Sequence, residues 1–185
     1  MAVRRAVVGV TAVPVPRGTV FNVQPGRSAV LVKARSNIGP ISFATSRVRG
    51  KISAGLDSNA IDLDVPVTAE LVVSLRELTS GNTLYDTELK RRIDVRRFPD
   101  ATLQLEQVAR ADEPNRFVVS GRIELHAVVR PLSGVIAVER LERDKMVIRG
   151  QHTLDIREFD LDVPPLLALK IYPDVSVEMQ LEARA

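Results

Sequence analysis

Apolar and polar side chains alternate along most of this chain, and that alternation restricts its fold more than any other feature. Val175, Val177, Met179, Leu181 and Ala183 are interleaved with Ser176, Glu178, Gln180, Glu182 and Arg184. Phe117, Val119, Gly121, Ile123 and Leu125 alternate with Ser120, Arg122 and Glu124, and Ala101, Leu103 and Leu105 with Thr102, Gln104 and Glu106. Ala69, Leu71, Val73 and Leu75, and then Met146, Ile148, Gly150 and Leu154, repeat the pattern. A period of two places apolar side chains on one face of an extended strand and polar ones on the other. Turn signals separate the runs: Gln24-Pro25-Gly26, Asn37-Ile38-Gly39-Pro40, Asp112-Glu113-Pro114-Asn115 and Val163-Pro164-Pro165. Many short strands joined by tight turns describe an antiparallel sandwich or barrel.

One segment follows a different period. Over about residues 83–94, Tyr85, Leu89 and Ile93 recur at i, i+4, i+8, the apolar stripe of a helix. Thr83 and Asp86 resemble a capping box with Asp in the Glu position. Asp86 and Glu88 lie early and Lys90, Arg91 and Arg92 late, which suits the helix dipole. Asp86 with Lys90 and Glu88 with Arg92 are spaced for i, i+4 pairing. Phe98-Pro99 ends the element. With 185 residues and no visible linker or repeat, the expectation is one mainly β domain carrying a single short helix.

Composition removes several function classes. The chain has no cysteine, hence no disulfide, thiolate metal site or cysteine nucleophile, and its two histidines, His126 and His152, are too few for a multi-histidine centre. No apolar run approaches the roughly 18 to 20 residues that span a bilayer as a helix. A net charge of +3 and 4% aromatics argue against a nucleic-acid partner. No nucleophile elbow, phosphate-cradling glycine loop or HExxH-type motif occurs, so neither an enzyme nor a cofactor or metal is expected. Arg4 and Arg5 precede a short apolar stretch, but Pro14-Val15-Pro16-Arg17 stands where a small-residue cleavage site would be. Residues 1–20 are therefore read as an arm or edge strand rather than a leader, and the location as cytoplasmic.

Two features carry chemistry. His152 continues the parity of Met146, Ile148 and Gly150, so it is expected to point inward, either to meet a ligand's polar end or as a core histidine bonded to a neighbouring hydroxyl or carbonyl. His126 has the opposite parity and is expected in solvent. Lys90, Arg91 and Arg92, continued at Arg96 and Arg97, form either a docking site for an anionic head group or membrane surface, or a solvated helix face.

Several segments, in order, resemble the YceI-like family of polyisoprenoid-binding proteins. Phe21-Asn22-Val23-Gln24-Pro25-Gly26-Arg27-Ser28 resembles the family's opening aromatic-x-aliphatic-x-Pro-x-x-Ser, and Gly39 and Gly50 fall at its early turns. Leu84-Tyr85-Asp86 through Arg97-Phe98-Pro99-Asp100-Ala101 is similar to its helix and Phe-Pro step. Phe117 through His126 with Arg130-Pro131-Leu132, and Phe159 through Val175, resemble later strands. Leu125-His126-Ala127-Val128-Val129 lacks the family's Gly and Thr, and Gly39-Pro40 replaces a Gly-His pair seen in some members.

This resemblance implies an antiparallel, up-and-down, lipocalin-like β-barrel of about eight strands over residues 21–185, enclosing an isoprenoid or fatty acid-like lipid. The expected ligand wall is Val30, Val32, Leu71, Val73, Leu103, Leu105, Phe117, Val119, Ile148, His152, Val177 and Met179, with Phe98 and the helix residues Tyr85, Leu89 and Ile93 at one side. Lys90, Arg91 and Arg92 would meet the head group or a membrane in passing. The same alternation also describes a packed barrel that serves as a structural or interaction scaffold without a small ligand. The Val7 to Val13 arm offers an edge for a homodimer under either reading.

Overall fold

The computed structural model describes residues 18–57, 60–142, 144–161 and 170–185. The Val7–Val13 arm and the Val163–Pro165 turn lie outside the described residues. Eleven strands form one antiparallel sheet: β1 Thr19–Val23, β2 Ala29–Ser36, β3 Gly39–Thr45, β4 Val48–Asp57, β5 Ala60–Asp62, β6 Thr68–Ser74, β7 Asp100–Arg110, β8 Arg116–Leu125, β9 Val128–Glu142, β10 Lys145–Asp155 and β11 Ile171–Arg184. The helix α1, Thr83–Ile93, lies between β6 and β7, and a 3-10 turn, Ile156–Phe159, follows β10. β1 begins at Thr19, inside the span read as the arm.

From β6 to β11 each strand pairs with its successor, and β4 and β1 complete a closed ring of eight in the order β1-β4-β6-β7-β8-β9-β10-β11. Closure depends on β11. Its Ala183 and Arg184 pair with β1, whereas Val175 to Gln180 pair with β2. The change of partner falls at Glu182, whose N–H donates to the Ser28 hydroxyl at 3.1 Å and whose carbonyl accepts from the Gln24 N–H at 2.8 Å. Ser28 is only 1% exposed, and Gly26 at φ 82° turns the chain between β1 and β2. The β2–β3 hairpin carries the wall onward, and Ala44 of β3 bridges to Thr79 between β6 and α1.

At two close approaches between neighbouring strands, glycine stands where a side chain would clash. A Cβ on Gly121 of β8 would lie 2.0 Å from the Gln104 carbonyl of β7. One on Gly50 of β4 would lie 2.2 Å from the Glu70 carbonyl of β6. Beside Gly121 a β-bulge between Leu105 and Gln107 shifts the register of β7, so the inward series runs Ala101, Leu103, Leu105 and then Val108.

The cap of α1 differs from the expected box. Asn82 is the N-cap, accepting from the Leu84 and Tyr85 N–H groups at 3.0 and 3.3 Å, and Thr83 is the first helical residue. Asp86 instead accepts from the Ser80 N–H and hydroxyl and the Thr79 hydroxyl, holding the loop that leads into the helix. A short side-chain acceptor next to the first turn caps better than a residue already inside it. Glu88 accepts from Arg91 at 2.7 Å and from Arg92 at 2.6 Å. These hydrogen bonds, Arg91 first and Arg92 second, lower its pKa from 4.5 to about 2.

Two expected outcomes follow. Gly121→Ala lowers stability by about 2–4 kcal/mol in urea unfolding, because the contact is with backbone that cannot step aside. Gly134→Ala, whose Cβ would meet only His152 Nδ1 at 3.7 Å, stays within about 1 kcal/mol of wild type. The lowered Glu88 pKa favours the folded state in full above pH 4.5, and this contribution fades as pH falls toward about 2. Glu88→Gln should therefore flatten the fall in urea midpoint across that window, and the gap between the two proteins should narrow toward its acid end.

Candidate functional site

The inward faces of the strands leave space. Two adjoining chambers of about 170 and 240 Å3 occupy the barrel and share Leu71, Leu103, Ile123, Leu154, Val177 and Met179 as wall. Inward alternation on the strands supplies hydrocarbon at almost every lumen position. Few aromatic rings are available to fill the centre. Phe21 packs with Val48, Ile52 and Leu181, and Phe159 with Phe43, Leu75 and Leu78, so these two rings stay out of the chambers, while Phe43 and Phe117 stand at their walls.

The structure brings together nearly all the side chains singled out from sequence. Leu105, Phe117, Val119, Ile148 and His152 line the smaller chamber, with Leu71, Leu103, Val177 and Met179 on the shared wall. Val30, Val32 and Val73 line the larger one, and Tyr85, Leu89 and Ile93 face it from α1. His152 is half-buried on β10, and Gly134 on β9 leaves the space beside its ring open.

Phe98 is not among them. Its ring lies outside both chambers, edge-on to His126 with centroids 4.4 Å apart and under the Arg97 guanidinium at 5.2 Å. Pro99 leads directly into β7 at Asp100, so Phe98 precedes the strand whose alternation builds the wall. His126 is likewise not in free solvent. It is half-buried at φ 54° in the two-residue turn between β8 and β9, and its Nδ1 is 3.2 Å from the Phe159 carbonyl. Strand parity does not extend into a turn, which is why it misplaced this residue.

The basic cluster also divides. Arg91 is exposed at 66%, whereas the Arg92 side chain is 13% exposed and, with Glu88, lines the larger chamber. Lys90 is half-buried and acts on Asp86 across the surface of the helix. Lys90, Arg91 and Arg92 thus do not form one basic face. Glu88 and Arg92 were missed as lumen residues, although the signal was present: Tyr85, Glu88, Leu89, Arg92 and Ile93 follow the i, i+3, i+4, i+7, i+8 stripe. Charge drew attention to the residue types and away from their angular position. Val67 and Val108 were missed for other reasons, one being in a loop and the other beyond the bulge.

The lumen is therefore a pair of adjoining apolar chambers, one lined by the Glu88–Arg92 ion pair of α1 and the other by a histidine. No helix among the described residues is long and apolar enough to cross a membrane.

Comparison with known proteins agrees with this geometry. No curated protein sequence matches the chain. Among solved structures, Burkholderia cenocepacia BcnA superposes with a TM-score of 0.73 at 14% identity, covering 86% of this chain and 98% of that one. A polyisoprenoid binding domain from Saccharophagus degradans, implicated in plant cell wall breakdown, gives 0.72 at 17% identity, covering 89% and 98%. The Campylobacter jejuni YCEI protein gives 0.64 at 10% identity, covering 78% and 85%. At such identities the likeness is one of fold. The YceI-like domain, however, matches the sequence itself over residues 21–183, and the chain belongs to the YceI-like family.

Proposed function

We propose that this protein binds and carries a long apolar molecule, an isoprenoid or fatty acid-like lipid, inside the barrel and without catalysis. The observation that carries this reading is the pair of adjoining apolar chambers on the barrel axis. Each exceeds the roughly 150 Å3 at which an apolar cavity stays dry and takes up an apolar guest. Burying about 300 Å2 of hydrocarbon at about 25 cal/mol per Å2 contributes ~7.5 kcal/mol before the cost of association, so apolar burial is the main favourable term in uptake. The similarity to a polyisoprenoid binding domain supports the same ligand class. On this reading the polar end of the ligand meets Arg92, whose side chain lines the larger chamber beside Glu88. Arg91 lies outside and does not take part.

Native mass spectrometry of the protein as purified is the first test. A co-purifying apolar molecule supports a carrier, and a guest-free protein that ignores added isoprenoids and fatty acids leaves only a scaffold. Leu103→Trp and Val119→Trp should each weaken binding of a fluorescent fatty acid at least tenfold while circular dichroism stays that of wild type, because the ring occupies empty space. Unchanged binding in both variants would sink the reading. Arg92→Gln should weaken a carboxylated chain about tenfold relative to the corresponding alcohol, in keeping with loss of a charge-assisted hydrogen bond. Arg91→Gln should not distinguish the two, as isothermal titration of both ligands would report.

A further inference from the structure

The wall between β6 and β7 is incomplete. Their ladder ends at Ala69 and Leu105, yet β7 continues for five residues to Arg110, and β6 begins one residue earlier at Thr68. The bulge after Leu105 bends β7 at that point. The chain between β5 and β6 is drawn the other way: Val65 is 8% exposed and packs on Gly55 of β4, where a Cβ would lie 2.6 Å from the valine. Between these diverging segments is a slot of about 470 Å3.

The slot adjoins the lumen, with only a few shared side chains between them. Val67, Val108, Val119 and Ser120 line both it and the smaller chamber. Its outer rim carries Thr68, Glu106 and Gln107, and Arg122 holds Glu106 in place at 2.7 Å. Val118, which also lines the slot, and its cross-strand partner Val135 are each 45% exposed. At one end the slot is bounded by the last ladder pair, and at the other Arg110 Nη2 donates to the Ile61 carbonyl at 3.2 Å, tying β7 to β5. Polar groups on the rim, hydrocarbon behind them and a thin shared wall of Val67, Val108 and Val119 suit an apolar chain that passes end-on from water into the barrel.

We propose that this lateral slot between residues 65–68 and 106–109 is the route by which an apolar chain enters and leaves the lumen. The proposal rests on the lumen as the ligand site. A route differs from a wall in its kinetic signature: closing it slows association and dissociation alike and leaves affinity in place.

Gln107 is exposed on the rim and outside the chamber wall, so Gln107→Trp covers the slot without filling the lumen. Stopped-flow binding of cis-parinaric acid, which fluoresces in apolar surroundings, should show both rate constants reduced fivefold or more with Kd within twofold of wild type. Ala109→Trp, on the same rim, should act likewise. Gln180→Trp, exposed on β11 at the opposite side of the ring, should leave both rates unchanged. Wild-type rates in both rim variants overturn the route, as does a change confined to dissociation.

A second readout needs no lipid. The chain has no cysteine, so Val119→Cys gives a single thiol on the inner sill of the slot. Its labelling by monobromobimane should be slowed at least fivefold by adding Gln107→Trp and unaffected by adding Gln180→Trp. Protection by Gln107→Trp without binding of cis-parinaric acid would keep the route and remove the lipid reading. Labelling that ignores Gln107→Trp would remove the route whatever the lumen binds.

Discussion

The exchange between Ser28 and Glu182 is the contact on which the rest of the barrel depends. A sheet with this many antiparallel strands must either leave two edges open or return to its beginning, and open edges invite pairing with other chains. β11 resolves this by serving two partners, β1 beyond the exchange and β2 before it. A buried serine that both accepts from the Glu182 N–H and lies within reach of its carbonyl satisfies the backbone where regular pairing lapses. The Gln24-Pro25-Gly26 turn then carries the chain from one partner to the next. Closure in turn defines an inside, and alternation decides what that inside is made of.

Closure and emptiness are separate properties. Many small barrels with the same alternation are filled by their own side chains. Here Phe21 and Phe159 pack away from the chambers, Phe43, Tyr85 and Phe117 stand at their walls, and the rest of the lining is mostly Val, Leu, Ile and Met with glycine at residues 121, 134 and 150. Gly121 is required for another reason, the close approach of β8 to β7, and it adds to the opening. A constraint on strand curvature thus contributes directly to cavity volume. The bulge beside it, a second consequence of the same curvature, turns Val108 inward and parts β7 from β6.

Placing α1 against this lumen gives its largely apolar wall, among the described residues, an ion pair. A carboxylate and a guanidinium at i, i+4 gain little in water. Facing a chamber of hydrocarbon, the same pair is the strongest polar feature a ligand could meet, and the depressed pKa of Glu88 keeps it ionised across the physiological range. His152, in the other chamber, marks the second polar position.

The strands, the helix and most of the lumen wall were legible in the sequence because each depends on local periodicity. Alternation over residues 117–125 or 175–184 specifies a strand and its buried face whatever the strand packs against. The stripe through Tyr85, Leu89 and Ile93 does the same for α1, and motif order through Ser28 and Phe98-Pro99 pointed to the family. What the sequence could not determine are relations between segments distant along the chain. Whether inward faces meet or stand apart depends on the curvature and closure of the whole ring, which periodicity does not encode. The rotation that brings Arg92 to the lumen and leaves Arg91 outside depends on how Tyr85, Leu89 and Ile93 pack into the cluster of Ile41, Phe43, Leu75 and Leu78. The slot beside Glu106 exists because β6 is shorter than β7 and a loop folds away onto Gly55. Each of these was decided by tertiary structure, since a side chain's environment is set by the neighbour opposite it, and that neighbour is chosen by the fold.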